Sequence, residues 1–354
     1  LRESSTVVAI SFMRLSILLL LSLITPSVAV AADKPRVSFE IVTKEGLSPT
    51  VSAQWYKALT DLGVAGLTIR SAKPGEEMAV KEAGPKNARA YQVTGILGAD
   101  GQLYLPGGKF SLHDATRLRK WLENLGDAGP EGVTAPRGAF GLTAKQLEEV
   151  RLELARPVSF STKGKNAAEL VAQIASQLPH PPTLGDARAD LQAITATDEL
   201  KGLSRGTALA ALARVAGFGI KPERSGGELA YKFVRLTSAG ECWPVGWKPD
   251  ASGGKPLPEL FDFLNVEIGE TSVADVLSAV QQRLKAPLLL DHNALAMQNI
   301  NPAQVQAEVP AKRMTYSQVL GKVLFQAKLK YELRLDDADR PFLWITTARP
   351  ARSE

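Results

Sequence analysis

Thr271-Ser-Val-Ala-Asp-Val-Leu277, followed by Pro287-Leu-Leu-Leu-Asp291, is the stretch on which the fold of this chain turns. Val276, Leu277, Val280 and Leu284 recur at helical spacing and make one apolar stripe. Ser272 stands where a helix N-cap belongs. The same pattern occurs earlier in the chain. There Leu170, Val171, Ile174 and Leu178 form the stripe, Asn166 the cap, and Pro181 and Leu184 answer to Pro287 and Leu290.

A second helix follows in each case. Leu209, Leu212, Ala216, Phe218 and Ile220 match Leu320, Val323, Ala327, Leu329 and Tyr331. Each copy closes on a hairpin that ends in Leu229-Ala-Tyr-Lys-Phe-Val234 or Phe342-Leu-Trp-Ile-Thr346. Residues 158–235 and 266–347 therefore read as an internal duplication. Each copy is expected to run β-α-β-β-α-β(β), with two helices on one sheet. The competing reading is chance similarity between two small α+β units. Apolar positions, caps and prolines that match together favour duplication.

Upstream, Val37-Ser-Phe-Glu-Ile-Val42 reads as a strand, and Val51, Trp55, Ala58, Leu59 and Leu62 as a helix stripe that ends at Gly63. Val64 to Ile69 is a second strand. Ala90 to Leu97 and Gln102 to Leu105 flank Ala99-Asp-Gly101, a hairpin turn that needs positive φ. Ser111 and Asp114 form a capping-box pattern before a helix with Leu112, Ala115, Leu118, Leu122 and Leu125. Thr143 and Gln146 cap a further short helix, stopped by Pro157. The fold class is α+β, in three small domains, the last two a tandem βαββαβ-type repeat. The expected boundaries are 36–125 for the first domain, 126–156 for a linker and short helix, 157–236 for repeat 1, 237–260 for a Pro/Gly/Trp linker and 261–347 for repeat 2.

Met13-Arg14, the apolar run from Leu15 to Ile24 and the small residues Ala29-Val-Ala-Ala32 read as a signal peptide over residues 1–32. Translation is expected from Met13 and cleavage near Ala31 or Ala32. The alternative is a retained anchor, but Thr25, Pro26 and Ser27 interrupt the run. The expected location is outside the cytoplasm, periplasmic or extracellular, with membrane association only through a complex or an uncleaved leader. Loss of Arg2, Arg14 and Glu3 leaves 40 basic and 36 acidic residues, a net +4. The charges are interspersed, which argues against nucleic acid as a partner. With 45% hydrophobic and 22% charged residues in 354, neither a disordered chain nor a polytopic membrane protein fits. The single Cys242 excludes a disulfide scaffold and a cysteine zinc site, and reads as a buried small residue or, second, a site of intermolecular pairing.

Each copy resembles the short N-terminal domain shared by secretins and TonB-dependent receptors. The resemblance lies in Thr271 to Leu277, Pro287 to Asp291, Val305-Gln-Ala-Glu-Val309, Thr315-Tyr-Ser-Gln-Val-Leu320 and Leu329-Lys-Tyr-Glu-Leu333. It implies a periplasmic, non-catalytic module that packs against proteins of an envelope complex. The sequence after Thr347 holds no material for a secretin ring or an outer-membrane barrel, so the docking property alone carries over. Gly98-Ala-Asp-Gly-Gln-Leu-Tyr-Leu105 with Ser111-Leu-His-Asp114 is similar to the periplasmic part of ExbD/TolR proteins.

No sequence motif carries chemistry: G-x-G-x-x-G, a Walker loop, G-x-S-x-G and H-E-x-x-H are all missing. His113 and Asp114 are adjacent and diverge on a helix. Asp114 is read as a capping carboxylate; His180 and His292 are read as structural or solvated. Asp336-Asp-Ala-Asp339 reads as a polar hairpin tip rather than a calcium loop. Trp243 and Trp247 are the candidate ligand-binding residues, as a stacking platform for a sugar or an aliphatic ligand. The bland reading has both rings fixing a domain junction. No catalytic residue, metal or cofactor is expected. The leading expectation is an exported adaptor binding envelope proteins by edge-strand pairing, with residues 39–42 and 342–346 as the edges. A glycan- or small-ligand-binding protein is the alternative, and a hydrolase assembled between domains from His113, His180 or His292 comes third.

Overall fold

The computed structural model describes residues 36–44, 47–84, 89–225, 228–238, 240–249 and 256–349. The leader expected over residues 1–32 lies outside them. Among the described residues no helix is long and apolar enough to cross a membrane. The protein is α+β, with helices packed on mixed sheets.

The N-terminal part comprises β1 (Arg36–Thr43), α1 (Pro49–Asp61), β2 (Gly66–Ser71), β3 (Ala79–Glu82), β4 (Ala90–Leu97), β5 (Leu103–Leu105), β6 (Gly108–Phe110), α2 (Ala115–Ala128) and the single turn α3 (Glu131–Thr134). Its sheet runs β2-β1-β4-β5-β6, and β3 also pairs with β4. β1 lies parallel to both β2 and β4, so residues 39–42 are central and not an edge. Apolar alternation reports burial, and a strand flanked on both sides alternates like any other. Two short strands escaped the sequence reading. β3 carries exposed Lys81 and Glu82 and has no long apolar run. β6 pairs with β5 across the Pro106-Gly107 turn.

Both helices hang an indole on the sheet. Trp55 of α1 donates from Nε1 to the Gly101 carbonyl at 2.9 Å, and Trp121 of α2 to that of Pro106 at 3.0 Å. At the head of α2 the expected cap is reversed. The Asp114 carboxylate accepts from the Ser111 amide and hydroxyl, both at 2.8 Å, and caps no helix amide. The short α4 (Ala144–Leu154) does carry the full Thr143–Gln146 capping box.

The remaining elements are α5 (Ala167–Ala175), α6 (Ala187–Gln192), α7 (Arg205–Val215), β7 (Phe218–Ser225), β8 (Glu228–Arg235), β9 (Phe263–Ser272), α8 (Val273–Leu284), β10 (Leu288–Leu290), α9 (His292–Met297), β11 (Gln306–Thr315), α10 (Tyr316–Gln326), β12 (Leu329–Leu335) and β13 (Pro341–Thr347). Three helices precede a closing hairpin in each series, α5-α6-α7-β7-β8 and α8-β10-α9-β11-α10-β12-β13, with β10 and β11 interposed in the second. Asn166 and Ser272 cap the first helix of each series, Ser204 and Thr315 the third. In the second series β9 and β11 form a two-stranded ladder bounded by Thr315↔Phe263 and Gln306↔Ser272. In the first, isolated bridges stand at the corresponding places, Ser204↔Pro157 and Asn166↔Thr195. The strands expected there are absent among the described residues. Glu199 joins the two legs instead, accepting from Ser161 Oγ, the Thr162 amide and hydroxyl, and the Lys201 amide. Burial works against its charge, but these donors outweigh it and hold the carboxyl down to about 2.

Three apolar cores result, and β13 belongs to two of them. Leu343 and Ile345 enter the core of α8 and α10, whereas Phe342 and Trp344 enter the core of α5 and α7. Successive side chains of a strand point to opposite faces, so one strand serves both. β13 is also hydrogen-bonded on either side, to β10 and β12. Residues 342–346 are therefore buried on all sides and are not an edge. Native-state hydrogen exchange is expected to be slowest in β1 and β13 and much faster at the unpaired side of β9. Mass-spectrometric exchange on intact protein checks this.

Candidate functional site

Two regions concentrate polar chemistry, and the first is the junction between the two series. Trp243 and Trp247 lie in the connector that follows β8. The connector joins the edge of β12 through the Trp247 amide to the Leu335 carbonyl at 2.6 Å, and the Leu335 amide to the Trp247 carbonyl at 2.8 Å. Gly246 sits between them at φ +71°, packed so closely on Phe342 that a Cβ would strike the ring.

Both indole N–H groups donate to one atom, Asp337 Oδ1, at 2.9 Å from Trp243 and 3.0 Å from Trp247. Asp337 Oδ2 accepts from Ser204 Oγ at 2.7 Å and from the Thr207 amide at 2.9 Å, at the first turn of α7. Gly206 permits this approach, since a Cβ there would meet Oδ2. Asp336 accepts from the Ser204 amide at 2.8 Å and from Arg340 Nε at 2.9 Å. The two carboxylates are 0% and 5% exposed. The turn is the polar hairpin tip expected, with Ala338 and Asp339 exposed, but two of its three carboxylates are buried. Asp336 and Asp337 turn inward, because α7 offers unpaired amides and a positive dipole end there. Their oxygens are already filled by protein donors, which leaves no calcium-loop geometry.

The indoles are enclosed by the protein itself. Phe140 stacks on Trp243 at 5.4 Å, Trp247 meets it edge-on at 5.1 Å, and the Arg151 guanidinium lies 5.5 Å from the Trp247 ring centre. Trp243 is 3% exposed. Trp243 thus presents no open ring face of the kind a sugar platform requires, while Trp247 is half-buried. Cys242 is half-buried beside Gly219, and burial pushes its thiol up.

A second clasp ties α7 to α9. Arg214 holds Asp291 through two bonds, at 2.8 and 2.9 Å. His292 Nε2 lies 2.8 Å from Thr197 Oγ1 and 3.0 Å from Asp198 Oδ2. Sequence reading missed this pairing, since the partners are far apart in the chain. It is not a relay: a triad uses both ring nitrogens, whereas here hydroxyl and carboxylate share one. The hollow beside it holds only about 30 Å³, room for about two waters. Burial works against the imidazolium, but the hydrogen bond to Asp198 and the charges of Asp198 and Asp291 prevail and hold His292 above its ordinary value. His180 Nδ1 pairs with Glu153 at 3.0 Å, and His113 is exposed. The Tyr231 phenol is pushed far up, by burial and then by the charge of Glu153. Among the described residues no three His, Cys, Asp or Glu side chains converge on a metal site.

The second region is open surface. A cleft of about 590 Å³ lies between the N-terminal sheet and α4, with Glu149–Arg224 at 2.6 Å and Lys145–Glu131 at 3.5 Å pairing much of its charge. A groove of about 320 Å³ runs between β9 and α8, and its floor is apolar: Leu264, Val266 and Ile268 from β9, Val276 and Val280 from α8, Val319 from α10. β9 pairs with β11 on one side only. Phe261 and Phe263 stand beside it, 48% and 64% exposed. The leading strand expected for the second copy from residue 266 is β9, which starts three residues earlier; its groove was not singled out, although the alternation Leu264, Val266, Ile268 was a readable signal. No family model, curated protein or solved structure matches this chain.

Two outcomes follow from the junction. Asp337→Ala leaves two indoles and the α7 amide facing a void, and is expected to cost about 3 kcal/mol or more. Urea unfolding followed by tryptophan fluorescence measures it. For His292, a raised folded value means stabilisation that is full at pH below the ordinary imidazole range and fades as pH rises through the raised value. The stability gap between wild type and His292→Gln is therefore expected to widen as pH falls from about 8 to about 6. Denaturation midpoints across that range check it.

Proposed function

We propose that this chain is an exported, non-catalytic adaptor of the cell envelope that holds protein partners through its α+β modules. The observation that carries the reading is the free edge of β9, lying beside an apolar groove and two exposed phenylalanines. An unpaired strand edge is a ready template for another chain. A soluble protein that keeps such an edge beside exposed aromatic area has a use for it.

The junction supports the same reading. Its buried carboxylates, indoles and imidazole are engaged with one another and serve to make the two series one rigid support. A rigid support with one open strand is what a docking protein requires, because a pre-ordered edge lowers the ordering cost of binding.

The tagged chain, crosslinked in envelope extracts, is expected to retain the same protein partner in repeated experiments, above a tag-only control. Repeated retention of no protein, with the chain shown to be folded by circular dichroism, overturns the reading. Retention of glycan instead points to a ligand-binding protein.

A further inference from the structure

We propose that His292 is a pH-operated latch. Charged, it ties α9 to the Thr197-Asp198 turn of the first series; neutral, it lets that end of the junction loosen. The inference stands apart from the adaptor reading and does not depend on it.

Apolar packing does not hold α9 to the first series. Leu295 enters the core of α8 and α10, and no α9 residue belongs to the core of α5 and α7. A hollow of about 30 Å³ lies between α7, residues 194–200 and His292. The hold is polar, and it has two halves. In one, the Arg214 guanidinium of α7 grips Asp291 through two bonds, and Thr346 of β13 donates to the same carboxylate at 3.0 Å. In the other, Asp198 Oδ2 lies 3.0 Å from His292 Nε2 and accepts from the Leu290 amide at 3.0 Å. Thr197 Oγ1 lies 2.8 Å from the same ring nitrogen. Leu290 ends β10, which pairs with β13 alone, so its outward amide depends on Asp198.

The two halves answer differently to pH. A guanidinium does not deprotonate in proteins, whereas imidazole changes charge in the physiological range. The charged groups around the ring are Asp198 from the turn before α7, Asp291 at the head of its own helix and, bound to Asp291, Arg214 of α7. β13 adds the neutral Thr346. Burial opposes charge on the ring, but Asp198 and Asp291 hold it above its ordinary value.

Protonated, Nε2–H donates to Asp198 as a charge-assisted bond, roughly twice as strong as a neutral one. Once the proton leaves to solvent, one N–H serves two ring nitrogens. On Nε2 it keeps a bond to Asp198 without the charge. On Nδ1 it leaves Nε2 to accept from Thr197, and Asp198 loses a donor. Either way the contact weakens. Asp337, at the other end of the β13 layer, has no histidine among its hydrogen-bond partners, so that end stays shut.

The test is residue-resolved amide exchange on the full chain from about pH 6 to about pH 8. Each rate is divided by that of an unstructured peptide at the same pH. The Leu290 amide is expected to lose about fivefold in protection as pH rises, the worth of one partly screened ion pair. The Ala294 amide, held by Asp291, and the Thr207 amide, held by Asp337, are expected to keep theirs. His292→Gln donates to Asp198 without titrating, and Asp198→Asn keeps an acceptor for Leu290 without charge. Each is expected to flatten the Leu290 profile, once circular dichroism verifies its fold. By proton NMR the His292 ring is expected to titrate above a histidine in an unstructured peptide, and Asp198→Asn to lower its midpoint. The wild-type profile and ring titration need no variant, so they decide if neither variant folds. A flat wild-type profile, an undiminished slope in either variant, an equal loss at Thr207, or a ring midpoint at or below the peptide value overturns the proposal. Retention of no envelope partner sinks the adaptor reading and leaves these readouts unchanged.

Discussion

The Asp337 carboxylate is the constraint around which the C-terminal two thirds of the molecule is arranged. It gathers donors from the connector, through Trp243 and Trp247, and from the head of α7, through Ser204 and Thr207. A carboxylate taken out of water loses several kcal/mol of hydration and is tolerated only when its oxygens are filled. Here no cation touches it. Indole N–H groups, a hydroxyl and a helix N-terminus fill its lone pairs, which is enough because the helix end supplies partial positive charge. Asp336 next door is paired with the Arg340 guanidinium. Moving any one donor leaves the charge short, so connector, α7 and the β12–β13 turn keep a single arrangement.

That arrangement explains how β13 can be shared. Once the turn before it is fixed, its alternate residues fall on two sides, Phe342 and Trp344 toward α7, Leu343 and Ile345 toward α10. The three-stranded sheet β10-β13-β12 becomes a layer between two sets of helices rather than the outer face of one copy. The Arg214–Asp291 and His292–Asp198 contacts close the opposite end of the same layer. The strands that seemed suited to meet partners are therefore consumed internally, and β9, two-stranded with β11, is left with an open side.

Local signals were legible because local physics decides them. The stripe Val276, Leu277, Val280, Leu284, the caps Asn166, Ser272 and Thr143, and the Asp-Gly turn at residues 100–101 depend on neighbours within a few residues. The mixed α+β class follows from them. What depends on distant parts was not legible. Residues 39–42 alternate in part as an edge strand does, and only the pairing order shows them to be central, whereas Phe342-Leu-Trp-Ile345 is an unbroken apolar run, the pattern of a strand buried on both faces. Asp336-Asp-Ala-Asp339 has the composition of a polar turn, and the burial of its first two carboxylates is set by Ser204, far away in sequence. His292 and Asp198 meet for the same reason. In the first series the side-chain acceptor Glu199 joins the two legs where a leading ladder was expected, which no strand propensity reports.

The distribution of satisfied and unsatisfied groups separates architecture from function. In the junction, charged and aromatic groups converge, which is where an active site would be sought, yet each principal group faces an internal partner. The Asp337 oxygens are filled, His292 spends one nitrogen on two neighbours, and the indoles pack on Phe140, each other and Arg151. Groups so engaged must first give up bonds before they can act on anything else, and at a buried carboxylate that cost is several kcal/mol. Around β9 the balance is opposite. Backbone donors and acceptors, half-buried aliphatic side chains and the charges of Glu267, Glu270 and Arg283 face solvent without an internal match. Covering them gains free energy without breaking anything already made.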